Sequence, residues 1–172
     1  AAELFKKRGL DAVIVGFLFS FLNDAHEKRA VEIIKEVMPD AFVCASSEVV
    51  NVIREYERFS STAMNAYIGP KTALYLRSLE SRLKKNDITA TVRIMQSNGG
   101  ISTIDQSASR PIGLLLSGPA GGVIGGRWTG GHCDTGNVIT IDIGGTSADI
   151  SVIQDGDLRT KNPRDSEVAG LP

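Results

Sequence analysis

Cysteine is nearly absent from this sequence: Cys44 and Cys133 are the only two in 172 residues. Two thiols make no disulfide framework, and their scarcity points to a reducing, cytoplasmic setting. Histidine is as rare, with His26 and His132 far apart in the chain. His132-Cys133-Asp134 sets three ligand types side by side, but neighbours in one loop seldom converge on a single ion, which argues against a metal centre there. No charge of one sign prevails. The 19 basic and 20 acidic residues leave a formal net charge of −1, so nothing marks a nucleic-acid partner, whose footprint needs clustered Lys and Arg. Lys6-Lys7-Arg8 and Lys84-Lys85 read as solvated helix faces. Long hydrophobic runs are missing too. The longest, residues 12–22, is about half of the ~20 residues that a membrane span needs. It follows a charged segment without a small-residue cleavage site, so it reads as neither membrane span nor signal peptide. Two phosphate signatures are also lacking: no G-x-x-x-x-G-K-[ST] occurs, and no G-x-G-x-x-G stands between a strand and a helix.

What is present is the composition of a globular domain, 42% hydrophobic and 23% charged. Residues 3–8 read as the end of a helix stopped by Gly9. Residues 12–19 run almost wholly apolar, as a parallel strand covered on both faces does. Asp24 with Glu27 three residues on is a capping-box pattern that opens a helix, with His26 in its first turn as a surface or capping residue. The apolar face of that helix is Ala30, Ile33, Ile34, Val37 and Met38, Pro39 ends it, and residues 41–45 make a second strand. Strand, helix and strand form one βαβ unit. Residues 49–58, with Arg54-Glu55-Tyr56-Glu57-Arg58 in the middle, read as a solvent-facing helix laced with ion pairs. Gly69-Pro70 is the expected joint between two helices, because proline suits a first helical position.

Beyond that joint, residues 91–96 alternate like a strand and end in the polar turn Ser97-Asn98-Gly99-Gly100. Ser117-Gly118-Pro119-Ala120-Gly121-Gly122-Val123-Ile124-Gly125-Gly126 repeats small residues at helical spacings. Glycine at that density costs a free helix several kcal/mol, so the helix is expected where another backbone or a ligand approaches closely. Residues 137–153 read as two strands joined at Gly144-Gly145, where a tight turn needs glycine. Successive N–H groups of such a turn face one concavity that suits phosphate oxygens, and Thr146 and Ser147 add hydroxyls there. Asp142 and Asp149 are brought side by side at the mouth of the hairpin. Such a pair suits Mg²⁺, which is held by one or two carboxylates plus phosphate oxygens. The competing reading is an ordinary hairpin with exposed aspartates.

Asp142-Ile143-Gly144-Gly145-Thr146-Ser147-Ala148-Asp149 resembles the second phosphate motif of the superfamily that includes actin, sugar kinases and the large heat-shock chaperones. Pro119 to Gly126 resembles the connecting helix that precedes that hairpin in the chaperones. A closer likeness covers nearly the whole chain. Phe17-Leu18-Phe19-Ser20-Phe21-Leu22-Asn23-Asp24-Ala25-His26-Glu27, Arg54-Glu55-Tyr56-Glu57-Arg58, Met95-Gln96-Ser97-Asn98-Gly99-Gly100, Ser117-Gly118-Pro119-Ala120-Gly121-Gly122-Val123 and Asp142-Ile143-Gly144-Gly145-Thr146-Ser147 occur in the order found in the hydantoinase A/5-oxoprolinase family. That family also includes the ATP-binding subunits of acetone and acetophenone carboxylases.

The resemblance implies an α/β fragment of an actin-like ATPase, a ribonuclease H-like two-lobe fold. Residues 1–65 would be the tail of the first lobe, and residues 66–172 the beginning of the second. It implies an ATP-dependent enzyme that phosphorylates the carbonyl oxygen of a cyclic amide such as hydantoin or 5-oxoproline, after which water opens the ring. The cofactors implied are ATP and Mg²⁺. By residue, Gly144, Gly145, Thr146 and Ser147 match the phosphate loop, and Asp142 and Asp149 match the positions that hold Mg²⁺ largely through water. Ala148 stands where relatives often carry Thr. Ser97, Asn98, Gly99, Gly100, Ser117 and Gly118 are the candidates for a substrate cleft. A hydantoinase B-type subunit or domain is the implied partner. The alternatives are a carboxylase subunit that phosphorylates a ketone enolate and a non-catalytic nucleotide-binding regulator or chaperone lobe. The chain opens without Met and stops at Gly170-Leu171-Pro172, and it is expected to be an internal piece of a longer polypeptide, inactive alone because the family's first phosphate hairpin is not in it.

Overall fold

In a computed structural model that describes residues 1–145 and 147–158, short strands are interspersed with helices. The order is α1 (Ala2–Lys7), β1 (Ala12–Val15), α2 (Ala25–Val37), β2 (Phe42–Ala45), α3 (Ser46–Val49), α4 (Glu55–Lys85), β3 (Ile94–Met95), β4 (Ile101–Ser102) and α5 (Ile104–Ser109). A 3₁₀ turn (Pro111–Leu114) then leads to α6 (Ser117–His132), β5 (Val138–Ile143), β6 (Ala148–Gln154) and β7 (Asp157–Leu158). The described residues divide into two compact units, one of residues 1–90 and 104–112, the other of residues 91–103 and 113–158. Among the described residues no helix is long and apolar enough to cross a membrane.

The first unit contains the expected βαβ crossover. β1 and β2 pair in parallel, Ala12 with Phe42 through Val15 with Ala45, and α2 connects them. The core gathers on Cys44, Val49 and Ala66, with Ala12, Phe42, Val50 and Ile112 packed around them. Gly9 does close α1 in the left-handed region, at φ +67°. The strand is shorter than its apolar run. β1 stops at Val15, Val13 and Val15 are buried while Ile14 is 40% exposed, and Phe17, Leu18, Phe19 and Leu22 stand out on a loop. The pattern alternates, so this strand is not covered on both faces.

The capping box does not form either. Asp24 occupies the N-cap of α2 without a side-chain cap bond and pairs with Lys28 at 2.7 Å. Glu27 instead turns inward and is fully buried. Its Oε1 accepts the Phe17 N–H at 2.8 Å and the Ser46 hydroxyl at 2.7 Å, and its Oε2 accepts the Ser47 N–H at 2.9 Å and the Ser47 hydroxyl at 2.7 Å. Burial works to raise the carboxyl pKa. The bonds from Ser46, Ser47 and Phe17 overcome that and hold it at about 2.

Two readings of the helical region are corrected. The helix does not begin at Val49: residues 50–54 are a loop, Arg54 caps α4 at φ 85°, and α4 runs from Glu55 without a break through Gly69-Pro70. The expected joint is absent because Gly69 does a packing job. A Cβ there would meet the Phe42 ring at 2.5 Å, so the strand pins the helix where proline removes one ladder bond. Nor is Arg58 solvent-facing, although it does pair with Glu55 at 3.8 Å. It is fully buried, donating through Nη2 to the Phe17 carbonyl at 2.6 Å and through Nη1 to the Val52 carbonyl at 3.3 Å. Arg54 and Glu57 do make the expected surface pair, at 3.0 Å.

In the second unit, β3 and β4 form a small hairpin, and β5, β6 and β7 form a three-stranded antiparallel sheet in that order. α6 lies on that sheet. Its glycines are used as the sequence suggests: a Cβ on Gly126 would strike Thr140, and one on Gly130 would meet Val138 at 2.6 Å and the Thr135 carbonyl at 2.9 Å.

Candidate phosphate-binding site

Alternation along Val138–Ile143 and Ala148–Gln154 sorts the hairpin into two faces. Val138, Thr140, Ser151 and Ile153 lie on the face that meets α6, and Ile153 is buried there. Asp142 and Asp149 continue this face toward the turn and are directly paired in the register. The Gly144 N–H donates to the Ser147 carbonyl at 2.9 Å, so these two form a bonded pair that closes the ladder. Antiparallel pairs alternate, which makes Asp142 and Asp149, two steps on, again a bonded pair with Cα atoms about 5.5 Å apart. Both carboxylates are exposed. The hairpin anticipated from the Gly-Gly turn is therefore present, and the two aspartates share one face beside it. Thr146, the remaining residue of the phosphate motif, lies outside the described residues.

α6 adds a second element at the same end. Gly126 lies against Thr140 and Gly130 against Val138, so the helix runs antiparallel to β5. Four helical residues rise about 6 Å and two strand residues about 6.6 Å, so the two advance together. By that register Gly122 comes level with Asp142, and Gly118 with Gly144. The first turn of α6, with Ser117 and Gly118, thus stands at the turn end of the hairpin, where free helix N–H groups favour an anion. Among the described residues, nothing lies within 4 Å of a Cβ built on Gly118, Gly122 or Gly145, so this side is open.

The turn Ser97-Asn98-Gly99-Gly100 is formed as read. Gln96 N–H donates to the Gly100 carbonyl at 2.8 Å, Asn98 Oδ1 accepts the Gly100 N–H at 2.9 Å, and Gly99 sits at φ +80°. A Cβ on Gly99 would meet Ile124 of α6 at 3.1 Å, so this turn rests on the helix that carries Ser117 and Gly118. No described contact joins it to Asp142 or Asp149. A separate recess of about 300 Å³, lined by Arg127, Asp134 and Gly156 among others, lies at the opposite end of the hairpin from the turn. Glu27 and Arg58 escaped the sequence reading as buried residues, although both lie inside the motifs singled out. Their types and spacings imitate a cap and a surface ion pair.

The donor set fits a hard cation shared with a phosphate. Among the described residues no group of three or more His, Cys, Asp or Glu could hold a metal by itself, whereas two neighbouring carboxylates suit an ion that takes its other ligands from water and phosphate. The family model described as Hydantoinase/oxoprolinase matches residues 58–172. The chain belongs to the hydantoinase/oxoprolinase family. Among its relatives, an uncharacterised protein of Methanocaldococcus jannaschii is 39% identical over 88% of this chain and 22% of its own length. Caprolactamase subunit alpha of Pseudomonas jessenii is 35% identical over 97% of this chain and 24% of its own length. A nucleotide-free structure of acetone carboxylase, from work on ATP-dependent acetone carboxylation, aligns with a TM-score of 0.82 at 27% identity over 99% of this chain and 24% of that one. The α/β fold expected from the sequence is that of these family members. This hydantoinase/oxoprolinase chain spans about a quarter of the length of these three relatives.

Proposed function

We propose that this chain is part of an ATP-dependent enzyme that opens a cyclic amide, such as a hydantoin, 5-oxoproline or a lactam. The observation that carries the reading is the pairing of Asp142 with Asp149 beside the Gly144–Ser147 turn, level with the first turn of α6. N–H groups of Gly145 and of the helix start would bind phosphate oxygens, and the Ser147 hydroxyl would add a donor. Asp142 and Asp149 would orient waters on Mg²⁺, which when bound neutralises charge on the transferred phosphoryl group. Phosphorylation of the amide carbonyl oxygen makes that carbon a target for water and couples ring opening to ATP hydrolysis. Ser97 to Gly100 and Ser117-Gly118 remain the cleft candidates by virtue of their shared support on α6.

The setting is cytoplasmic in this reading, and the partner is a hydantoinase B-type subunit or domain. The name of the caprolactamase relative, as a subunit, supports an assembly of more than one chain. Of the lobe division at residues 65 and 66, the continuous α4 leaves no chain break in support. We place the beginning of the second lobe at residue 91, where the second compact unit starts. The structural likeness to acetone carboxylase favours a second reading, in which a ketone enolate oxygen takes the phosphoryl group. Substrate-dependent ATP hydrolysis by the full-length protein, measured with hydantoins, 5-oxoproline, lactams and ketones, decides between them. No stimulation by any of these would refute both.

A further inference from the structure

Asp134 stands where the rules of helix endings call for a different residue. It follows the C-cap of α6 in the left-handed region, at φ 52°, and the Thr135 N–H donates back to the Gly130 carbonyl at 3.0 Å. This closure usually takes glycine, which has no Cβ to clash. A carboxylate here also meets the negative end of the helix dipole, where cations are favoured. Nothing local offsets these two costs. Among the described residues the Asp134 side chain makes no hydrogen bond and no ion pair. Sequences break local rules in this way at sites kept for function.

Asp134 lines the recess of about 300 Å³ at the far end of the β5–β6 hairpin, together with Arg127 of α6. The two charges do not pair with each other, and Arg127 likewise makes no hydrogen bond or ion pair among the described residues. Val138 and Ile153, partners in the ladder, give the recess apolar lining, and Ile153 is buried. Backbone contacts fix the rim. The Gly156 N–H donates to the Gly136 carbonyl at 2.8 Å, and a Cβ on Gly136 would meet the Asp155 backbone at 3.1 Å. Apolar lining with a few polar groups, in a volume of this size, is the make-up of a small-molecule site. The Asp142–Asp149 pair lies four residues along the strands, about 13 Å away, so this recess is not the phosphate site.

We propose that the recess binds a zwitterionic amino acid, the ring-opened product, with its carboxylate on Arg127 and its ammonium on Asp134. The guanidinium fork matches a carboxylate, and the hydrocarbon between the charges lies on Val138 and Ile153. The choice of ligand rests on the reading of the enzyme as opening a cyclic amide. Hydrolysis of a lactam puts hydroxyl on the carbonyl carbon and hydrogen on the nitrogen, and at neutral pH the product carries both charges. The lactam itself carries neither and would cover Arg127 and Asp134 without satisfying them. The recess therefore selects product over substrate.

The test is calorimetric titration of the full-length protein, without nucleotide, with amino acids from glycine to 6-aminohexanoate and with glutamate. At least one should bind, and Arg127→Gln and Asp134→Asn should each weaken it about tenfold, the scale of one charge-assisted hydrogen bond. For 6-aminohexanoate the controls are hexanoate and hexylamine. Hexanoate should bind more weakly and be indifferent to Asp134→Asn, and hexylamine should be indifferent to Arg127→Gln. Asp134→Asn should also leave the melting temperature unchanged or raised, since it removes the charge from the helix end. A lowered melting temperature in step with lost affinity would make Asp134 a structural residue and overturn its role. No binding by any amino acid, or unchanged affinity in both variants, would overturn the site even in an enzyme that opens rings. An enzyme that opens no ring yet binds an amino acid through Arg127 and Asp134 would keep the site and refute the functional reading instead.

Discussion

Asp142 lies directly opposite Asp149 in the β5–β6 ladder, so two like charges occupy one cross-strand pair near the turn of the hairpin. Directly opposed like charges destabilise a sheet. The pair is thus costly to the fold and useful to a cation that joins phosphate to protein. Asp142→Asn in the full-length enzyme should leave the melting temperature unchanged or slightly raised. Turnover should fall on the order of 10²–10³, the usual effect of losing one such electrostatic element. Full activity in this variant would sink the assignment.

The glycines of α6 should separate by face. Gly126→Ala and Gly130→Ala place a methyl group against Thr140, or against Val138 and the Thr135 carbonyl, and should destabilise by about 1–3 kcal/mol. Gly125→Ala meets nothing within 4 Å and should stabilise by up to about 1 kcal/mol through helix propensity. Urea unfolding of the four chains measures this, and equal losses at all three positions would contradict the packing.

How much of this could be read from residues alone depended on whether the local rule was also the tertiary one. The βαβ crossover and the hairpin were legible because alternation, a Gly-Gly turn and a helix stop each act within a few residues. The α6 glycines were legible because their density has no local benefit. Arg58, Thr62 and Asn65 were not. They fall on the buried face of α4 with Ala66, Gly69 and Leu76, so half of the stripe that faces the core is polar and leaves no clear apolar period to detect. Asn65 earns its place by accepting the Ile112 N–H at 3.1 Å, a bond 47 residues away in sequence. Glu27 misled for a related reason: its spacing from Asp24 satisfies a cap, while its partners Phe17, Ser46 and Ser47 come from two other segments.

Glu27 should give the chain an acid-sensitive component of stability. Its carboxyl pKa is held at about 2 in the fold, below the ordinary value of 4.5. A depressed folded pKa stabilises above the unfolded value and is lost as pH falls through the folded one. The contribution is therefore present above about pH 4.5 and disappears toward pH 2, and 2.5 pH units correspond to about 3 kcal/mol. In urea titrations at a series of pH values, Glu27→Gln should be less stable at neutral pH and should lose less on acidification through this window. A variant with the same acid slope as the parent would show that the carboxylate is not the group responsible.

The two cysteines should differ in reactivity although neither is paired. Cys44 is buried in the core of the first unit beside Val49 and Ala66. Burial pushes its thiol pKa up, against a smaller opposing effect of a hydrogen bond with Asn65. Since the thiolate is the nucleophile, Cys44 is protected twice, by a low thiolate fraction and by exclusion of the reagent. Cys133 is exposed at the end of α6. Brief iodoacetamide treatment of the native full-length protein at pH 8, read by peptide mass spectrometry, should modify Cys133 and leave Cys44 free until denaturant is added. Stoichiometric labelling of Cys44 in the native protein would mean that this core opens readily, and the burial on which the first unit's description rests would have to be abandoned.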